Sequence, residues 1–315
     1  MKPATHRTRR PFPVRLWRRL RRSWWRGRAL AWEARLRLRN RLGTGPALQA
    51  GGEVIVSMTT HQARLGRSFL ALETLFDQDV QPGAIQLNLA AEELSEADLP
   101  QTIQRLRRRG LQVRFVAPDY KSGNKLIPTY AAHPDRILVT ADDDCLHPST
   151  WLSGLLAAHA ETPDAIVCHR GLTLRRDENG HLVPYKHLMK APGTDTHPGF
   201  AVMATGVSGV LYPPHALHPR VHDHGLMMRL CPSEDDVWFK AMSLLQGTPT
   251  RRAAPRNPLW LQVSASQRVR LFDRNVTPDG ASPSDACLRT VFEAFELDGY
   301  LDADDTGEPR SATAA

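Results

Sequence analysis

The sequence is short of the features that would settle its chemistry unaided. Its four cysteines, Cys145, Cys168, Cys231 and Cys287, include no C-x-x-C pair. That weighs against a zinc knuckle or a small disulfide framework and fits a reducing compartment. No apolar run is long enough to span a bilayer, and arginine interrupts every stretch from Val14 to Leu42, so the basic N-terminus lacks the apolar core of a secretory signal. A cytoplasmic location is expected. The first predicted strand is not followed by a Gly-rich phosphate loop. Gly206-Val207-Ser208-Gly209 is not the spacing of a serine-hydrolase elbow, the thirteen histidines form no H-E-x-x-H helix, and no repeat is visible.

Acidic residues are also missing, but only from one end. Residues 1–42 hold Lys2 and fourteen arginines against Glu33 alone; the rest of the chain has 26 basic and 32 acidic residues. The formal charge of +8 therefore belongs to an arm, and the body is about −6. Within residues 14–42, Trp25, Ala29, Trp32 and Leu36 recur at helical spacing, and Trp17 and Trp24 stand among the arginines. Such a helix suits an anionic membrane surface, which would place the protein peripherally on the inner face of the cytoplasmic membrane. A solvated tail, or a helix docked on the domain itself, explains the same pattern. Nucleic acid ranks last, since the body is acidic and carries no base-stacking module.

After the Gly43-Thr44-Gly45-Pro46 break the pattern alternates. Residues 53–60 read as a buried strand, 65–77 as a helix, 85–89 as a strand, 99–109 as a helix, 111–116 as a strand and 136–141 as a strand. A helix begins at Trp151. This order predicts an α/β domain over residues 53–300 with a mostly parallel sheet flanked by helices, and ligands beyond the carboxyl ends of its strands. An acidic, small-residue tail, 301–315, is expected to be disordered.

The strand Arg136–Ala141 runs straight into Asp142, Asp143 and Asp144. Three adjacent carboxylates repel unless cations offset them, and a hard divalent ion would do so. In an extended segment Asp142 and Asp144 would share one side and Asp143 the other, leaving the outer pair to share a metal and a nucleotide. The plainer reading is an acidic turn capping the helix near Ser149. A second cluster, Glu234, Asp235 and Asp236, precedes an apolar helical pattern, where acids serve either as a catalytic base or as caps. Arg64 and Lys125 suit phosphate contact, with Thr59 and His61 beside the first strand. Gly206 and Gly209 would admit a close sugar approach, or merely bend the chain. Any of His169, His215, His218, His222 or His224 could complete a metal shell, the last four from a mobile acceptor-side loop.

The segment Ile137-Leu138-Val139-Thr140-Ala141-Asp142-Asp143-Asp144, with His147-Pro148 and Trp151-Leu152, resembles the DXD strand of GT-A glycosyltransferases. Val56–Thr60 with Arg64, Lys125–Pro128, Cys168–Arg170, Gly206–Pro214 and Ser233–Phe239 are similar, in order, to blocks of family 2-like bacterial polysaccharide glycosyltransferases. The resemblance covers about residues 53 to 295 and leaves the arm out. It implies a GT-A (Rossmann-like) fold, a nucleotide-diphosphate-sugar donor, Mn²⁺ or Mg²⁺, and a glycan or glycolipid acceptor. It also implies donor contacts at Thr59, Arg64, Lys125, Asp142 and Asp143, a metal at Asp144 and Asp142, and acceptor contacts at Gly206 and Gly209. Asp235 would be the base of an inverting transfer, with Glu234 and Asp236 as the other candidates. The competing functions are a nucleotidyltransferase and a catalytically inactive glycan-binding scaffold on the same fold.

Overall fold

The computed structural model describes residues 12–49, 51–232, 234–264 and 282–301, with side chains in the first helix from residue 23 on. The Trp17 side chain, Ser233 and the tail from Asp302 lie outside what is described. The chain begins with a 31-residue helix, α1 (Phe12–Leu42). It continues through β1 (Val54–Thr59), α2 (Gln62–Leu75), β2 (Ala84–Ala90), α3 (Gln101–Arg107), β3 (Leu111–Val116) and α4 (Ile127–Ala132). Next come β4 (Ile137–Ala141), β5 (Cys145–Leu146), α5 (Trp151–Glu161), β6 (Ile166–Cys168), β7 (Gly171–Thr173), α6 (Tyr185–Leu188), β8 (Val202–Ala204) and β9 (Val210–Tyr212). The last elements are α7 (His224–Leu230), α8 (Asp235–Gln246), β10 (Thr250–Arg252), β11 (Leu261–Gln262) and α9 (Pro283–Ala294).

Seven strands form one sheet in the order β10-β6-β9-β4-β1-β2-β3, parallel except for β9, which runs against both β4 and β6. The expected α/β class and mostly parallel sheet are what the chain adopts. Both sheet faces are covered, which is why the central strands read as nearly unbroken apolar runs. Ile55 and Leu138 face one core cluster with Trp238 and Phe239; Val56, Met58 and Val139 face the other with Leu70 and Trp151. From β1 the chain builds outward through β2 and β3, then returns to β4 on the opposite flank of β1. A crevice therefore opens at the carboxyl ends of β1 and β4, where the strand order reverses. Met58 stands opposite Ala141 in this pair, so Thr60 and Asp142 follow at the mouth of the crevice.

The second half of α1 is part of the body, although the sequence pattern sets residues 1–42 apart as an arm. Ala29, Glu33, Leu36 and Asn40 are buried, and Trp32 packs against the same cluster as Leu36. Glu33 accepts hydrogen bonds from Ser264, from both its backbone N–H and its hydroxyl (Oγ at 2.8 Å). Asn40 donates to Glu73 (3.0 Å) and to the Thr102 carbonyl (3.1 Å), and the buried Glu73 is further held by Arg39 (3.0 Å) and Arg109 (2.7 Å). The apolar stripe that the spacing offers to a membrane thus packs largely on the protein, the docked alternative.

The segment after β9 also departs from expectation. It is not a loose acceptor-side loop: a 3₁₀ turn, Pro219–His222, leads into α7. His215 Nε2 meets Asp135 at 3.0 Å, two residues before β4 begins, because antiparallel β9 carries the chain back to the amino end of β4.

Candidate functional site

Asp142, Asp143 and Asp144 occupy the bend between β4 and β5. Pairing of β5 with β11 closes this bend, and the Val263 N–H donates to the Asp144 carbonyl at 2.8 Å. Because the segment turns, the two-sided alternation expected of an extended chain does not hold. Asp143 accepts from Thr60 Oγ1 (2.5 Å) and Arg64 Nη1 (2.9 Å), and the same guanidinium nitrogen lies 3.3 Å from Asp144 Oδ2. Asp142 faces the other way, 3.4 Å from Lys125 Nζ. Burial, then the repulsion of Asp142 and Asp143, pushes the Asp144 carboxyl up to about 6 against the pull of Arg64.

Lys125 ends a 3₁₀ turn, Lys121–Lys125, that a buried polar network pins to the sheet. Asn88, on β2, donates to Ser57 Oγ (3.1 Å), Thr129 Oγ1 (2.8 Å) and the Asn124 carbonyl (2.9 Å). The Asn124 side chain accepts from the Tyr120 N–H (3.0 Å) and donates to Asp119 (2.6 Å). Lys125 Nζ thereby stands 2.9 Å from Asp235, 3.4 Å from Asp142 and 4.0 Å from Asp236. Burial alone would lower its pKa, but these carboxylates outweigh it and the ammonium is held well above the ordinary lysine range.

Glu234 is the N-cap residue of α8, and Asp235 and Asp236 form its first turn. Glu234 makes no side-chain capping bond, Asp235 turns to Lys125, and Asp236 Oδ1 accepts from the Gly206 N–H at 2.9 Å. These contacts leave simple capping a poor account of the cluster. Burial, followed by Asp235, raises Asp236 to about 7; burial raises Glu234 to about 6 against a hydrogen bond from Ser284.

The two glycines have packing reasons of their own. A Cβ on Gly206 would stand 2.3 Å from Lys125 Nζ and 3.0 Å from Asp236 Oδ1. Gly209 has φ +99°, and a Cβ there would meet the Trp151 ring at 2.6 Å. The structure brings together Arg64, Lys125, Asp142, Asp143, Asp144, Asp235, Asp236 and Gly206. The Thr59 hydroxyl instead donates to the Asn88 carbonyl at 2.7 Å, and Thr60 takes the position facing the acids. His169 is buried, donates from Nε2 to the Trp151 carbonyl (2.8 Å), packs on Trp260 and is lowered to about 4 by burial. His224 bonds the Asp119 carbonyl at 3.1 Å, and His218 accepts from Arg220 N–H. Sequence reasoning missed Thr60 and Asn88; Asn88 is a polar residue inside a buried strand, and that mismatch was a usable signal.

The donor set bears on a metal. Among the described residues no three His, Cys, Asp or Glu side chains converge to hold an ion. Asp142, turned to Lys125, and Asp144, turned to Arg64, would offer hard oxygen ligands from the two sides of the bend, in a region where six carboxylates face chiefly Arg64 and Lys125. A two-carboxylate set of this kind suits Mg²⁺ or Mn²⁺ that also takes phosphate oxygens and water.

Compared with known proteins, the chain matches no family model and no curated protein sequence. Solved structures similar to it include S. aureus TarS 1-349, at 13% identity and a TM-score of 0.42, over 67% of this chain and 59% of that one. The chain thus spans under two thirds of that protein's length. TarS 1-349 in complex with UDP-GlcNAc gives 13% and 0.46 over 80% and 67% of the two chains. The mannosyltransferase PcManGT from Pyrobaculum calidifontis, in complex with GDP-Man and Mn²⁺, gives 11% and 0.39 over 88% and 83%. With every TM-score below 0.5, these are loose overlaps.

Proposed function

We propose that the chain is a divalent-metal-dependent glycosyltransferase that moves a sugar from a nucleotide-diphosphate sugar to a glycan or glycolipid acceptor with inversion. One observation carries the reading: Lys125 Nζ lies between two separate acidic clusters, 3.4 Å from Asp142 and 2.9 Å from Asp235, at the switch-point crevice of a parallel sheet. One cluster is suited to a cation and diphosphate, the other to taking a proton. Asp144 and Asp142 would hold the ion, which supplies Lewis-acid neutralisation of the departing diphosphate. Arg64 and Lys125 add fixed positive charge beside it. Asp235 accepts the acceptor hydroxyl's proton as that oxygen attacks the anomeric carbon from the face opposite the diphosphate, and a single displacement of this kind inverts the centre. Asp143, occupied by Thr60 and Arg64, keeps Arg64 in place.

Titration calorimetry of the full chain against UDP- and GDP-sugars, with and without Mn²⁺, tests this together with Asp144→Ala and Asp235→Asn. The expected result is one donor whose binding needs both Mn²⁺ and Asp144. Asp235→Asn should still bind that donor while turnover falls about 10²- to 10⁴-fold. No binding of any nucleotide sugar would favour the scaffold reading, and a product with retained configuration would remove Asp235 from the role of base.

A further inference from the structure

With its inner face committed to the body, α1 still presents an unusual outer face. Trp24, Leu30, Leu38 and Leu42 are 54–63% exposed, and they are half of the exposed large apolar side chains among the described residues. Trp24, Leu38 and Leu42 fall on one stripe, at spacings of 14 and four residues, opposite the buried Glu33 and Asn40. Arg28 and Arg35 lie along that stripe, with Arg41 at its flank, all exposed. Arg28 stacks over the Trp24 ring at 4.7 Å. The single acid of the helix, Glu33, is turned inward to Ser264, so no carboxylate of α1 dilutes the positive charge outside.

We propose that this outward stripe is a docking surface for an anionic lipid bilayer. Charge complementarity selects the partner: the surface is cationic along its length, and guanidinium groups meet lipid phosphates there. The apolar residues select a bilayer over a simple polyanion, since Trp and Leu gain by entering the headgroup boundary whereas a nucleic-acid backbone gives them nothing to bury. Because α1 is bolted to the domain through Leu36, Asn40 and Glu33, docking would hold the whole body in one orientation on the membrane. The residues concerned differ from the Trp25–Leu36 stripe suggested by sequence spacing, and the inference does not depend on the enzymatic reading.

Vesicle co-sedimentation of the full chain tests it, using phosphatidylcholine alone and phosphatidylcholine with one third phosphatidylglycerol. Arg28→Glu/Arg35→Glu/Arg41→Glu and Trp24→Ser/Leu38→Ser/Leu42→Ser are compared with the parent after circular dichroism has shown each folded. The expected result is strong binding to the anionic vesicles only, weakened by salt. The charge-reversal variant should partition at least about a hundredfold less well, since removing the three positive charges alone costs roughly a factor of five each. The apolar variant should lose at least about tenfold while its salt dependence persists. Equal binding to both vesicle types, unchanged binding of either folded variant, or tighter binding to a single-stranded oligonucleotide than to the anionic vesicles would overturn the proposal.

Discussion

At the scale of single residues, the buried lysines separate into two kinds. Lys125, at the end of its 3₁₀ turn, is surrounded by carboxylates, whereas Lys240, on α8 one turn beyond Asp236, is buried with no hydrogen-bond partner for Nζ among the described residues. Burial lowers Lys240 to about 7. In the unfolded chain it regains its ordinary value of 10.5, so between those limits the unfolded state binds the extra proton. Stability should therefore rise with pH from about 7 toward 10.5, and Lys240→Met should flatten that slope. Since Met keeps the volume and removes an unpaired amine, the variant should also gain about 1–3 kcal/mol at neutral pH. Urea melts at several pH values check both signs. Gly206→Ala asks a different question. Its Cβ would displace Lys125 from between the acids, and Lys125 cannot move without leaving Asp235 or Asp142 unpaired. The expected outcome is a folded protein with donor binding or turnover reduced at least about tenfold, read by calorimetry and assay.

Among the elements, α1 yields the clearest stability prediction. Leu36 is 1% exposed and belongs to the same core cluster as Leu70 and Val56. Leu36→Ala should cost about 2–5 kcal/mol. Deleting residues 1–42 should go further and yield an unstable or insoluble body, since it strips Leu36 and Asn40 and removes Arg39 from Glu73. Differential scanning fluorimetry ranks Leu36→Ala and the deletion of residues 1–42 against the full chain. This docking was not legible in the sequence, where Ala29, Trp32 and Leu36 look the same whether the covering surface is lipid or protein. The strands β1 and β4 were legible because strands covered on both faces are apolar throughout. The acids at the end of β4 were legible too, but their directions were not: a bend replaces the strand alternation, sending Asp142 to Lys125 and Asp143 with Asp144 to Arg64. Lys125 stood out as a basic loop residue, yet its meeting with Asp235, 110 positions later, is made by the fold.

The whole molecule joins these parts through one crevice. Strand order reverses between β1 and β4; the β4–β5 bend is closed by β11; and β11 continues to Ser264, which Glu33 of α1 holds. A ligand in the crevice would therefore touch segments drawn from most of the chain, and its binding should appear as stabilisation of the entire domain. At a donor concentration one hundred times its dissociation constant, linkage gives about 2.7 kcal/mol. For a domain of this size that corresponds to roughly 5–10 °C in Tm. On the proposed reading Mn²⁺ alone should give a smaller shift, because Asp142 and Asp144 would supply only part of a coordination shell, and donor without metal should give little. Asp144→Ala should abolish the metal-dependent part while keeping the melting of the unliganded protein cooperative. If donor shifts Tm equally with and without Mn²⁺, the carboxylates of the β4–β5 bend are not a metal site, and Arg64 and Lys125 alone neutralise the diphosphate.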